Sequence, residues 1–279
     1  MPDAARGRRH SLRRRRGRLS VLLEIAYDGT AFSGWAVQPG ARTVAGEVLG
    51  AVRAIDPNVN EVRGASRTDA GVHAHGQLAI FAPQKDLPMK GWVLGLSAHL
   101  PSEIAVVRAS RVPDGSDLGR SIVRKRYRYL VLRHPLRDPF WEGRTWRFSH
   151  GLDLDLARSE AASILGTNDF AAFRSSSDER QTTVRTLDDI SIDRLAGDCR
   201  VVSIDVVGNA FLHNMVRIIV GSMLDVARGR LPPGTLRRAL STLRRADLGM
   251  TAPACGLYLE RVEHTLRAAD VWPPAEVEQ

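Results

Sequence analysis

The sequence predicts an α+β fold: two similar α/β half-domains sharing a largely antiparallel sheet, helices packed on one side, and a cleft between the halves. Three observations carry this expectation. Short apolar stretches of strand length alternate with stretches of helical period. The order strand, helix, strand, strand of the first half returns loosely in the second, which suits helices covering one face of a sheet. A run of turn-forming residues, PDGSDLG (113 to 119), breaks the pattern between them.

Taken in order, LSVLLEIAY (19 to 27) is short and apolar and is halted by Asp28-Gly29, as a strand would be. Val44, Val48, Val52 and Ile55 then recur at helical spacing, with Thr43 placed as an N-cap. GQLAIFA (76 to 82) and VVRASRV (106 to 112) supply two more strands. In the second half KRYRYLVLR (125 to 133) alternates, with Tyr127, Tyr129 and Val131 on one face. DLDLARSEAASILG (153 to 166) suits a helix closed by Gly166. Two strand-like runs, 187 to 195 and 199 to 207, flank Ala196-Gly197-Asp198, a hairpin signal. Leu212, Met215, Ile219, Met223 and Val226 form a helical stripe within 211 to 229. PGTLRRALSTL (233 to 243) suits a short helix, and GLYLERVEH (256 to 264) a last strand. The expected units are a basic disordered arm (1–18), an N-terminal half (19–113), a C-terminal half (114–267) and a tail (268–279).

Composition narrows the function. At 43% hydrophobic residues the chain can bury a substantial core. No apolar run reaches the roughly 18 residues of a membrane span, and no apolar stretch of signal-peptide length follows the first arginines. A cytoplasmic protein without a membrane role is the expectation. The formal charge is +9, and residues 1–18, with eight arginines against Asp3, hold most of it. Such an arm suits a polyanion, nucleic acid first; a solvated tail is the other reading. Cys199 and Cys255 lack CxxC spacing, which speaks against a disulfide framework and a zinc site. His73 and His75 form an HxH pair, but no third ligand follows at sensible spacing.

The densest polar chemistry is SRTDAGVHAHGQ (66 to 77). In an extended loop Arg67 and Asp69 project the same way. A guanidinium beside a carboxylate keeps it ionised, and an ionised, partly desolvated carboxylate can act as nucleophile or base. Ala70-Gly71 allows a tight turn that leaves room for a substrate. On the residues alone, Arg-x-Asp in a loop is commonly a surface ion pair, and a tyrosine at strand spacing is commonly core. Arg217 lies within an apolar helix, where a guanidinium is costly unless paired, and Asp69 is the candidate partner.

RTDAGVHA (67 to 74) closely resembles the signature of the TruA-type tRNA pseudouridine synthases. YDGTAFSGW (27 to 35), KRYRY (125 to 129), GTNDFAAFRS (166 to 175), GNAFLHNMVRIIVGSMLDVARG (208 to 229) and TAPACGLYLERV (251 to 262) also resemble that family's segments, in its order. The resemblance implies isomerisation of uridine to pseudouridine in the tRNA anticodon stem-loop, just 3′ of the anticodon, without metal or cofactor. It also implies a homodimer, with one tRNA lying across both subunits. Asp69 falls on the family's catalytic aspartate. Tyr127 falls on its base-stacking tyrosine, which accepts or relays the proton lost from carbon 5. Arg217 falls on the basic residue paired with that aspartate, and Arg67 on an arginine that contacts RNA. Arginines interleaved with tyrosines in KRYRY, Arg126 among them, suit an RNA contact.

Three departures stand out. Ser66 replaces a usual glycine, so the loop is expected to sit slightly differently. AVQPG (36 to 40) follows where the family tends to polar, Gln-Arg-like residues. SDLGR (116 to 120) stands where the family commonly has Phe-His-Ala-Arg, leaving Arg120 as the remnant. The alternative function is a non-catalytic tRNA-binding relative; retention of Asp69, Tyr127 and Arg217 favours the enzyme, since a pure binder has no need of the three.

Overall fold

A computed structural model of the chain describes residues 19–178 and 180–274; the basic arm lies outside them. The chain begins with β1 (Leu19–Tyr27), α1 (Val44–Ile55), β2 (Arg63–Gly64), β3 (His73–Phe81), α2 (Met89–His99) and β4 (Ile104–Pro113). One turn of helix, α3 (Leu118–Ser121), leads into β5 (Ile122–Leu132), β6 (Trp146–Arg147), α4 (Leu154–Ala162), β7 (Gly166–Asp169), β8 (Val184–Leu195) and β9 (Asp198–Gly208). α5 (Met215–Ala227), α6 (Thr235–Thr242), β10 (Leu257–His264) and β11 (Ala269–Trp272) complete it.

All the strands belong to one sheet, with main order β11-β4-β1-β3-β10-β5-β9-β8-β7. Its pairings are antiparallel except β10 with β3 and β5 with β6. The predicted α+β class with a largely antiparallel sheet is therefore what the chain adopts. The sheet runs unbroken past residues 113 to 124 because β10 inserts between β3 and β5. Within the stretch expected as a tail, β11 pairs with β4 at the sheet's edge.

Alternation along β5 shows where the core lies. Tyr127, Tyr129 and Val131 face the main apolar cluster, which also takes Val48 and Val52 of α1, Trp92 of α2 and Ile219 and Met223 of α5. Leu130 and Leu132 face a small second cluster with Val201 and Tyr258. The helices thus pack on one side of the sheet, as expected, and their apolar stripes are what hold them there.

Local details differ from expectation in three places. α4 ends at Ala162, capped at Ser163, and Gly166 (φ +85°) opens β7 rather than closing the helix. α5 starts only at Met215, because Asn214 adopts a left-handed conformation (φ 63°). Residues 211 to 214 consequently form a turn outside the helix. α2 had no predicted counterpart.

Candidate active site

A cavity of about 740 Å³ opens where the loop between β2 and β3, strand β5, residues 177, 178 and 180, and the turn before α5 converge. Arg67, Asp69, Tyr127 and Arg217 all line it.

The loop carrying Asp69 is held from behind by the opening YDGTAFSGW segment. Trp35 N–H donates to the Thr68 carbonyl (3.0 Å) and Gly71 N–H to that of Phe32 (3.3 Å). The Tyr27 hydroxyl meets Thr68 Oγ1 at 2.7 Å. Gly34 (φ +92°) lies so close that a Cβ there would stand 2.6 Å from the Thr68 carbonyl oxygen. The loop turns back on itself through Val72 N–H to the Asp69 carbonyl, 3.2 Å, with Gly71 left-handed at φ +75°. An L side chain would be strained at Gly71. Asp69 is thereby presented at a tight bend, its side chain 26% exposed.

A guanidinium from the first turn of α5 and an imidazole from the turn before it flank that carboxylate. Arg217 Nη1 lies 3.2 Å from Oδ2 and His213 Nε2 3.3 Å from Oδ1. Arg217 also donates to the Asn214 side chain (2.8 Å) and, through Nε, to the Ala252 carbonyl (2.8 Å). Ala252 N–H returns a bond to the Arg217 carbonyl. A guanidinium in an apolar helix requires partners, and here it has three. The αL residue Asn214 lets the chain present both His213 and Arg217 to one carboxylate, an arrangement the stripe of apolar residues does not reveal.

The second guanidinium expected at Asp69 is not there. Arg67 is exposed and lines the cavity, but makes no hydrogen bond or ion pair among the described residues. His213 occupies the position instead.

Tyr127 is buried from strand β5, its ring meeting Phe211 edge-on at 5.0 Å. Its hydroxyl is 2.8 Å from Ser66 Oγ. Burial, with the nearby Asp69 charge adding and the Ser66 bond opposing, pushes the phenol up to about 12. Ser66 itself is fixed at both backbone polar groups by Gln77, N–H to Oε1 at 3.2 Å and carbonyl from Nε2 at 2.7 Å. It lies outside the left-handed region, so serine fits there without strain. Lys125, two residues before Tyr127 and so on the same strand face, donates to the Ala65 carbonyl (2.9 Å) and Ser66 Oγ (3.2 Å). Burial, reinforced by the Arg180 charge, depresses its amine to about 8.

Asp178 closes the far wall. Its carboxylate accepts from the His213 backbone N–H at 2.7 Å and from Arg180 N–H at 3.0 Å, and pairs with Arg180 Nη1 at 3.1 Å. Burial opposes its ionisation, but these donors outweigh it and hold the carboxyl below the usual aspartate range.

Arg120 and Arg126 stand outside the cavity. The Arg120 side chain, on α3, is 91% exposed and pairs with Asp117 at 3.4 Å. Arg126 alternates to the sheet face opposite Lys125 and Tyr127 and is exposed. The HxH histidines also lie elsewhere. His73 is buried: its Nδ1 accepts from Gly29 N–H, its Nε2 donates to the Gly143 carbonyl, and burial lowers its pKa. His75 pairs with Glu260 at 3.0 Å.

Comparison with known proteins matches a family model described as tRNA pseudouridine synthase to residues 25–116 and 161–264, most of the chain. The chain belongs to the tRNA pseudouridine synthase family. It is 37% identical over 243 residues to tRNA pseudouridine synthase A of Acetivibrio thermocellus, spanning 87% of this chain and 98% of that protein. The proteins of the same name from Geobacter sp. strain M21 and Myxococcus xanthus are each 39% identical, over 244 and 246 residues. These cover 87% and 88% of this chain, and 98% and 91% of the relatives. Membership makes this synthase-family chain an isomerase by class. The two matched blocks bring Asp69 and Arg217 to one site from opposite ends of the sequence. No helix among the described residues is long and apolar enough to cross a membrane.

Proposed function

We propose that this chain isomerises uridine to pseudouridine in the anticodon stem-loop of tRNA, just 3′ of the anticodon, with Asp69, Tyr127 and Arg217 as the catalytic set. The observation that carries this reading is the Asp69 carboxylate, presented at a tight bend and held by Arg217 and His213 beside a buried phenol. Modifying a base within a helix requires extruding it, at a cost of a few kcal/mol. An aromatic wall returns about 1–3 kcal/mol by stacking, and Tyr127 and Phe211 supply it. Arg67, exposed on the cavity lining and without a partner among the described residues, is suited to a backbone phosphate of the displaced nucleotide.

Once the uridine is in the cavity, Asp69 traps or stabilises the positive charge that develops at carbon 1′ as the glycosidic bond opens. Arg217 fixes the carboxylate's rotamer and balances its charge. The uracil turns, carbon 5 bonds to carbon 1′, and the proton leaving carbon 5 passes to the Tyr127 oxygen while nitrogen 1 gains one from solvent. The isomerisation needs no external electrons. Family resemblance supports a cytoplasmic homodimer as the working assembly. Arg120 and Arg126, exposed and outside the cavity, are assigned to contacts with RNA beyond the target nucleotide rather than with the reacting base.

The test is release of tritium from carbon 5 of uracil in an unmodified tRNA transcript. The wild-type chain releases it; Asp69→Ala binds the same transcript but releases none. Release by Asp69→Ala at the wild-type rate overturns the site assignment.

A further inference from the structure

The proton that leaves carbon 5 cannot stay on a buried phenol through repeated turnovers; it needs a way out. We propose that Ser66 and Lys125 form that way, relaying the proton from Tyr127 to the Lys125 amine and on to solvent. The inference rests on the reading above, in which Tyr127 receives the carbon 5 proton.

Three heavy-atom positions define the path. Tyr127 Oη and Ser66 Oγ are 2.8 Å apart, and Lys125 Nζ is 3.2 Å from the same Oγ. All three residues line the cavity. Tyr127 and Ser66 are buried, whereas Lys125 is only half-buried, so it forms the solvent end. Gln77 clamps the Ser66 backbone on both sides, which keeps the middle link in place.

The same geometry supports two hydrogen-bond orders. An ammonium is a donor only. With Lys125 charged, it donates to Ser66 Oγ and the serine hydrogen points to the phenol oxygen. With Lys125 neutral, the order reverses: the phenol donates to Ser66 and Ser66 to the amine. Only the second order lets the phenol oxygen accept a proton. As the carbon 5 C–H bond breaks, its proton goes to Tyr127 Oη, the phenol's own proton to Ser66 Oγ, and the serine proton to Lys125 Nζ. The C–H electron pair stays on the uracil ring, and Lys125 ends as an ammonium that then loses a proton to solvent.

The surroundings favour access to the neutral amine. Arg180 faces Lys125 from the loop after residue 175 and, with burial, brings the amine to about 8. Asp178, Arg67, Asp69, His213 and Arg217 line the same cavity. The residues paired with Lys125 on the neighbouring strands, Val262 and Gly208, carry no charge.

The experiment measures kcat and KM for tritium release across a pH range spanning about 8. The variants are Lys125→Met, Lys125→Arg, Ser66→Ala, Ser66→Thr and Tyr127→Phe, with thermal melting to establish folding. In the wild-type protein kcat rises as pH climbs through Lys125's titration. Lys125→Met, Lys125→Arg and Ser66→Ala flatten that rise and lower kcat about tenfold or more, with KM for tRNA within about twofold. Ser66→Thr, which keeps a hydroxyl, retains the rise. A wild-type pH profile and kcat in the folded Lys125 variants, or in Ser66→Ala, overturns the relay. Should Lys125→Met not fold, Lys125→Arg and Ser66→Ala decide the matter. Tyr127→Phe separates the two levels: unimpaired release there strikes the underlying role of the phenol, whereas slow release there beside normal Lys125 and Ser66 variants strikes the relay alone.

Discussion

Arg217→Met removes the guanidinium while keeping a long apolar stem against the helix's neighbours. Arg217 and Asp69 side chains are 18% and 26% exposed. Their pair therefore lies between a surface ion pair, worth about 0–1 kcal/mol, and a buried pair whose breaking costs about 3–5 kcal/mol. A loss of roughly 2–3 kcal/mol in holding the carboxylate for reaction follows, and at about 1.4 kcal/mol per decade kcat should fall some 30- to 150-fold. Stability falls as well, because the buried Ala252 carbonyl loses its Nε donor. An orphaned acceptor costs about 1–3 kcal/mol, or a fall in melting temperature of about 2–10 °C for a chain of this size. Arg217→Lys should lie between, since an ammonium restores charge but not the fork. Single-turnover tritium release and calorimetric melting read the two effects separately. A folded Arg217→Met protein with kcat within threefold of wild type would refute the idea that this guanidinium organises Asp69.

Asp178→Asn should lower stability at neutral pH by roughly 1–3 kcal/mol, since charge-assisted bonds to His213 and Arg180 weaken. Because the wild-type carboxyl titrates below its unfolded value, its contribution is intact above about pH 4 and is lost as pH falls through the folded value. The difference in melting temperature between the two proteins should shrink on acidification; a constant difference contradicts this. Gly34→Ala forces a Cβ toward the Thr68 carbonyl at φ +92°, costing roughly 1–3 kcal/mol in backbone strain alone and displacing the neighbour of Asp69. Urea denaturation and kcat should both worsen, and an unaffected kcat would show that the two loops move independently. Deleting residues 1–18 should weaken tRNA affinity and flatten its dependence on salt, because lost phosphate contacts remove counterion release; an unchanged slope makes the arm a bystander.

Much of the fold was legible because period and burial agree. Val44, Val48 and Val52 sit at helical spacing and are buried on α1, and the alternation of Tyr127, Tyr129 and Val131 matches the core face of β5. α2 was illegible: Gly91 and Gly95 interrupt its pattern, and the Ile55 side chain packs against Gly95. The two-residue strands β2 and β6 are too short for any period to register. At the site, Asp69, Tyr127 and Arg217 were readable from motifs, and Arg217 also from the physics of a charge in an apolar helix. His213, Ser66 and Lys125 were not, since their roles depend on a left-handed Asn214 and on contacts across 59 and 61 residues of sequence. Arg120 and Arg126 mark another gap: the presence of a basic residue does not say which way the strand's alternation or a helical turn will aim it.

β10 lies between β3 and β5 at the middle of the sheet, yet it follows both of them by more than 120 residues of sequence. Until residues 257 to 264 pair, no backbone ladder joins the strand after the Asp69 loop to the strand carrying Tyr127. Pairings this distant in sequence form slowly and late. A chain in which β10 has yet to dock therefore lacks the seam that brings carboxylate and phenol together, and the reactive cleft is completed only when that strand pairs.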